Sequence, residues 1–228
     1  MRVEGRLGFG LFRSRPNRFT VVLETPKGTR RCHLRDPGRL TEILIPGART
    51  IFLERSSPGR KTDCEVLAVW SGAWWTVVNS GLHTDLATEL ILSGAVPELP
   101  ADAPIRREVR FGDSRVDLLL DTSPPTLVEV KGCTLVVDGV ALFPDAPTER
   151  GTRHVLNLIR AVRSGMRAAV LFLVMRPDAQ RLEPNEETDP RFAEALRTAR
   201  REGVALLAHR FRLRGRVIEP AGAIPVVV

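Results

Sequence analysis

Two stretches constrain the fold of this 228-residue chain more than any others: Ala169-Val170-Leu171-Phe172-Leu173-Val174 and Val204-Ala205-Leu206-Leu207-Ala208. Each is an unbroken apolar run of strand length. A strand reads this way when both of its faces are buried, as in a parallel sheet covered on two sides. Helical patterns flank the first run, from Thr148 to about Ser164 and from Asp189 to Glu202. Upstream lies a helix capped by Thr84 and running from Asp85 to Leu92, where Gly94 stops it. A stiff connection with Pro97, Pro100 and Pro104 leads into strands at Ile105 to Phe111, Arg115 to Leu120, Thr126 to Lys131 and Val140 to Phe143. The order is that of an α/β domain, with Arg210 to Arg214 patterned as an edge strand.

The first part of the chain is different. Short strands are expected at Leu7 to Phe12, Phe19 to Glu24, Arg30 to Leu34, Thr50 to Glu54, Cys64 to Trp70 and Trp74 to Val78. One helix interrupts them, with Asp36 as its cap, Pro37 at its first position and Pro46-Gly47 at its end. Three strands, a short helix and two more strands is the order of an OB-fold barrel, a scaffold used on single-stranded nucleic acid. The expected division is an OB-fold-like domain over residues 1–80 and an α/β domain over 81–228.

Charge points the same way. Residues 1–60 hold twelve Arg and one Lys against five acids, a balance of +8 within a total of +7. Basic side chains that neutralise phosphates release counterions, so this asymmetry suits a polyanion. Phe9, Phe12, Phe19 and Phe52 lie on the same segment and are either base-stacking or core residues. No apolar run approaches a membrane span, and Met1-Arg2-Val3-Glu4 opens a charged strand, so the cytoplasm is the expected compartment and no membrane partner is expected. The three cysteines, Cys32, Cys64 and Cys133, are far apart without a CxxC pair and read as reduced, buried thiols. The four histidines lack ligand spacing for zinc. No P-loop or GxGxxG motif is present.

The chemistry-bearing constellation is Asp117 in one apolar strand and Glu129-Val130-Lys131 in the next. Residues i and i+2 of a strand share a face, and a hairpin around Ser123-Pro124-Pro125 brings Asp117 beside Glu129. Two adjacent carboxylates repel, and burying them without a cation is costly. Mg²⁺ or Mn²⁺ resolves the cost, since such hard ions take carboxylate oxygens and keep sites for water and phosphate. The plainer alternative is a buried salt bridge to Lys131. With helix and strands placed around it as they are here, the Asp, Glu-x-Lys pattern resembles the PD-(D/E)xK motif of restriction-endonuclease-like nucleases.

Further motifs sharpen the resemblance: Asp36-Pro37-Gly38-Arg39-Leu40-Thr41-Glu42, Gly59-Arg60-Lys61-Thr62, Arg107-Glu108-Val109-Arg110 and Phe143-Pro144-Asp145-Ala146-Pro147-Thr148-Glu149-Arg150-Gly151. Together they resemble the sugar fermentation stimulation protein A family, over residues from about 10 to 215. The resemblance implies an N-terminal OB-like domain, a C-terminal PD-(D/E)xK domain, association with DNA, and Asp117, Glu129 and Lys131 as the metal and catalytic set. Where many members carry Asn-Thr, this chain has Asp36-Pro37, an added negative charge beside any phosphate. Glu108 and Glu149 are further candidate metal ligands, though Thr148 and Glu149 are also good helix-start residues. Arg35, Arg39, Arg60, Lys61 and Arg150 are the candidate nucleic-acid contacts, and His154 lies one turn after Arg150.

Two functions fit: a Mg²⁺- or Mn²⁺-dependent nuclease acting on DNA or RNA, and, as the family resemblance implies, a non-catalytic DNA-binding regulator of sugar (maltose) metabolism genes built on the same scaffold. A carbohydrate enzyme fits poorly, because the chain has no Tyr and only three Trp, all in the first domain. A homo-oligomer is compatible with either function.

Overall fold

The computed structural model describes residues 1–55, 59 and 62–228. Leu7–Asn17 (β1), Thr20–Thr25 (β2), Gly28–His33 (β3), Arg49–Glu54 (β4) and Cys64–Trp70 (β5) pair in the order β3-β2-β1-β4-β5, and β3 returns to β5 in parallel. That closure makes a five-stranded OB barrel. Trp75–Val77 (β6) pairs with the outer edge of β5. Phe12, Val21, Leu23, Leu34, Phe52, Val66 and Val69 fill the barrel.

Two expectations about this domain fail. The helix from Asp36 does not form. The Asp36 Oδ1 accepts the Gly38 N–H at 2.8 Å, a local turn, and Leu40 takes a positive φ of 54°. A short Asp-Pro-Gly segment gains a side-chain turn at once, whereas a helix must first meet the cost of its nucleus. The segment keeps a single turn, Leu44 N–H to the Leu40 carbonyl at 2.8 Å, and drives Leu40 and Ile43 into the barrel core. Nor are all three thiols reduced. Cys32 and Cys64 form a disulfide across 32 residues of sequence, because barrel closure pairs them directly between β3 and β5. Only Cys133 is free, and burial pushes its thiol pKa up.

After a 3-10 turn at Ser80–Leu82, capped by Asn79, the chain enters His83–Leu92 (α1). Thr84 is thus inside this helix and does not cap it. Ile105–Phe111 (β7), Ser114–Leu120 (β8) and Thr126–Cys133 (β9) follow, then a small hairpin of Val136–Val137 (β10) and Val140–Phe143 (β11). Glu149–Arg163 (α2), Arg167–Val174 (β12), Arg181–Pro184 (β13), Pro190–Arg201 (α3), Ala205–Arg214 (β14) and Val217–Ile224 (β15) complete the chain. The large sheet has the order β15-β14-β12-β9-β8-β7, with β9, β12 and β14 parallel. The strands β13 and β15 are not among those expected from the sequence pattern. β15 covers Arg210 to Arg214, so that run is not an edge.

The apolar run in β12 is buried on both faces, as its composition requires. Val170, Phe172 and Val174 point to a core shared with Leu158 and Ile159 of α2 and Phe192 and Leu196 of α3. Ala169, Leu171 and Leu173 point to a second core shared with Leu86 and Leu90 of α1 and with Ile51, Leu53, Leu67 and Val77 of the barrel. The barrel wall thus covers one face of the α/β sheet. Truncating a fully buried ring such as Phe172 to Ala would cost about 3–5 kcal/mol.

If the barrel seam is closed as described, intact mass spectrometry without reductant will find the chain lighter by two hydrogens, and only Cys133 will react with alkylating reagent after unfolding. Three reactive thiols would contradict the seam.

Candidate functional site

Strand pairing brings the expected carboxylates together. Leu118 opposes Val128 in the β8–β9 hairpin, so Asp117 falls beside Glu129, and the Asp117 Oδ2 accepts the Val130 N–H at 2.7 Å. Glu129 and Lys131 share a face: Lys131 Nζ donates to Glu129 Oε1 at 2.7 Å. His154, on the buried side of α2, meets the same oxygen through Nδ1 at 2.5 Å. Arg150, one turn earlier, donates its Nε–H to His154 Nε2 at 3.3 Å, which makes Nδ1–H the donor to Glu129. Oε1 is therefore held by two donors, while the buried Oε2 has no hydrogen-bond partner.

The charges follow from this geometry. The Asp117 pKa is pushed up to about 6 by burial and then by the Glu129 charge. Burial also acts to raise Glu129, but His154 and Lys131 outweigh it and hold the carboxyl below its ordinary range. An unpartnered carboxylate oxygen in a buried site carries a desolvation cost that a cation removes. Asp117 and Glu129 thus fit a hard divalent ion, and one or two carboxylates is what Mg²⁺ commonly takes from protein.

The other candidates are placed less closely. Glu108 opposes Asp117 across β7 and β8, but its side chain is exposed and lies 3.9 Å from Arg115. Glu149 is exposed on the first turn of α2, which Thr148 caps by accepting the Gly151 N–H. Among the described residues no cluster of three or more metal-ligating side chains occurs, and Glu108 reaches Asp117 only as a nearby charge that adds to the rise in its pKa. Arg35 is tied to the buried Glu65 at 2.9 Å, whereas Arg39 and Arg150 are exposed. Arg60 and Lys61 lie outside the described residues. Of the four phenylalanines, Phe12 and Phe52 are core residues, and Phe9 and Phe19 are exposed.

A cleft of about 240 Å³ opens between the barrel and the α/β domain, with Lys131 on its floor and Arg18 on its wall. Two contacts shape it that sequence reasoning missed. The Asp145 carboxylate packs on the Gly38 backbone, where a Cβ would come within 2.3 Å of its Oδ2. His83 lies against Gly132, where a Cβ would come within 2.0 Å of its Cε1. Burial pushes the His83 pKa down to about 4 and leaves its Nε2 without a partner, so the ring is neutral at pH 7. Each contact joins residues too far apart in sequence for spacing to show.

Both contacts are testable. Gly132→Ala should lower Tm by several degrees through overpacking against His83, and adding His83→Ala should recover most of it; an unrelieved loss would place the strain elsewhere. The Asp36 carboxyl is pushed up to about 6, chiefly by burial, with the Gly38 N–H opposing and Asp145 adding to the rise. Its folded pKa lies above the unfolded value, so it favours folding at low pH, and that contribution is lost as pH rises through about 6. Asp36→Asn should therefore raise Tm more at pH 8 than at pH 4; a larger gain at pH 4 would contradict the sign.

A profile described as sugar fermentation stimulation protein RE domain matches residues 81–216, and one described as SfsA N-terminal OB domain matches residues 14–78. The sugar fermentation stimulation protein homolog of Methanothermobacter thermautotrophicus is 49% identical over 201 residues, 88% of this chain and 84% of that one. The homolog of Sulfurisphaera tokodaii is 43% identical over 216 residues, 95% and 88% of the two chains. The structure of Pyrococcus furiosus SfsA in complex with Ca²⁺ superimposes with a TM-score of 0.90 at 28% identity, covering 100% of both chains. Two profiles that between them span both domains, and relatives alike over most of their length, establish that the chain belongs to the sugar fermentation stimulation protein family.

Proposed function

We propose that this protein is a divalent-cation-dependent phosphodiesterase acting on nucleic acid, with its reacting phosphate in the cleft above Lys131. The observation that carries this reading is the Glu129 carboxylate: one oxygen is fixed by Lys131 and His154, and the other is buried, unpartnered and next to Asp117. A salt bridge built only for stability would not need the second acid, whose burial and mutual repulsion are unfavourable. The Ca²⁺ of the Pyrococcus furiosus relative supports a hard cation for this family.

Asp117 and Glu129 would hold Mg²⁺ or Mn²⁺, which when bound supplies Lewis-acid polarisation of a phosphoryl oxygen and lowers the pKa of bound water. The chain's own groups do the rest. Lys131 Nζ, fixed at 2.7 Å from Glu129 on a residue that lines the cleft, places a positive charge where the pentacovalent phosphorus gathers negative charge. His154 positions Glu129, and Arg150 holds the His154 tautomer that makes this possible. Arg18, on the cleft wall and fixed by the Pro37 carbonyl at 2.9 Å, and the exposed Arg39 supply phosphate contacts that do not depend on sequence. DNA is the expected substrate, with RNA as the comparison.

A second reading, favoured by the relatives' shared name, is a DNA-binding regulator of sugar metabolism that keeps the carboxylates without using them. Incubation with single-stranded, double-stranded and branched DNA and RNA separates the two. The nuclease reading expects cleavage with Mn²⁺ or Mg²⁺, none with EDTA, and a fall of at least about 100-fold in Asp117→Asn and Lys131→Ala. Salt-sensitive binding with no cleavage of any substrate would favour the regulator.

A further inference from the structure

We propose that the outer face of the barrel is a stacking platform for the bases of single-stranded nucleic acid, separate from the carboxylate cleft. The inference rests on the nucleic-acid reading above and names the form of the ligand and where it binds.

The platform is a row of residues in register. Leu11 of β1 opposes Glu24 of β2 on one side and Arg49 of β4 on the other. The Thr50–Val69 pair places Arg49 beside Trp70 of β5, and Trp70 opposes Trp75 of β6. Five adjacent strands thus contribute one residue each to a line about 19 Å long, at the usual inter-strand spacing. Phe9, two residues from Leu11 and hence on the same face, is 62% exposed, and Leu11 is 47% exposed. The Arg49 guanidinium lies over Trp70 at 4.4 Å and Trp75 at 5.8 Å, and the two indoles meet edge to face at 5.3 Å. Phe9, Leu11, Glu24, Arg49 and Trp75 line a groove of about 560 Å³ that shares no residue with the cleft at Lys131.

On the outward face of the barrel Ile51 and Leu53 are covered by the α/β sheet and Trp75 packs at the edge of that core, whereas Phe9 and Leu11 lie beyond it and are exposed. Those two exposed side chains continue into a planar cation, Arg49, that lies over the two half-buried indoles. Flat π surfaces beside a guanidinium suit a ligand that is both aromatic and anionic. Paired bases hide their faces inside a duplex, so only unpaired bases can use the platform. Charge argues for nucleic acid over a second copy of this chain: residues 1–60 carry +8, and two such segments repel. Lys27 stands exposed in the turn after Pro26, which also lines the groove, and adds a phosphate contact at its end. Glu24 repels phosphate at its own position but can accept a hydrogen bond from a base amino group.

The chain's only tryptophans, Trp70, Trp74 and Trp75, lie at or beside this face, which makes its fluorescence a direct readout. An oligodeoxythymidylate of about 12 nucleotides, within the range an OB-fold covers, is titrated beside a duplex of equal length and heparin, with Phe9→Ala and Arg49→Ala as variants. The expected result is quenching by the oligodeoxythymidylate but not by heparin, about tenfold weaker oligonucleotide binding in each variant, and duplex binding unchanged. Phe9 is exposed, so its removal leaves the barrel packed, and near-ultraviolet circular dichroism checks this. Oligonucleotide binding indifferent to both substitutions would overturn the platform while leaving the nucleic-acid reading in place. Self-association lost in Phe9→Ala, with oligonucleotide affinity unchanged, would assign the face to a second copy. Failure to bind any nucleic acid would overturn both readings.

Discussion

Burial of the central sheet on both faces organises the molecule. Helices α2 and α3 cover one side, and α1 with the barrel wall covers the other, so alternate residues of β12 lie in two different cores. The barrel is therefore not a module on a flexible tether. It completes the burial of strands whose side chains are apolar in both directions, and the hydrophobic term that does so fixes where the two domains meet. The N-terminus reinforces the joint: the Val3 N–H reaches the Arg216 carbonyl at 2.8 Å, and the Met1 ammonium meets both the Ile218 carbonyl and Glu89 at 2.9 Å. The cleft is formed along this joint, with the Asp36 to Gly38 loop on one side and Lys131, Gly132 and Asp145 on the other.

That scaffold explains how a costly site is kept. Asp117 and Glu129 sit on neighbouring strands whose apolar residues, Leu118, Leu120, Val128 and Val130 among them, are buried in the core, so the carboxylates cannot move apart without unpairing the sheet. His154 reaches Glu129 from α2, itself pinned by the core beneath it. The result is a preorganised acid with one oxygen fixed and one free. Such a feature makes sense as a seat for a cation and is hard to account for as packing.

What is legible in the sequence divides along a physical line. Periodicity within a strand reports which residues share a face, so the spacing of Asp117, Glu129 and Lys131 is enough to group them. Continuous apolar runs report two-sided burial, so the α/β domain is legible as well. Contacts between distant segments leave no such trace. The Cys32–Cys64 pairing depends on barrel closure, and the His83–Gly132 contact depends on where α1 lands. The Asp36 segment misleads for another reason: Asp-Pro is a helix start and also a turn, and the Gly that follows, with burial of Leu40 and Ile43, selects the turn. The row from Glu24 to Trp75 leaves no sequence pattern because it runs across strands, not along one.

The proposed cation seat depends on the buried, unpartnered oxygen of Glu129. Calorimetric titration of Ca²⁺ into the protein and into its Glu129→Gln variant tests this without reference to any substrate. Binding at one site in the native chain that is lost in Glu129→Gln, with both proteins folded to the same circular dichroism spectrum, is the predicted result. Equal Ca²⁺ binding by the two would show that the carboxylate pair is not a cation seat, and the cleft would need another explanation.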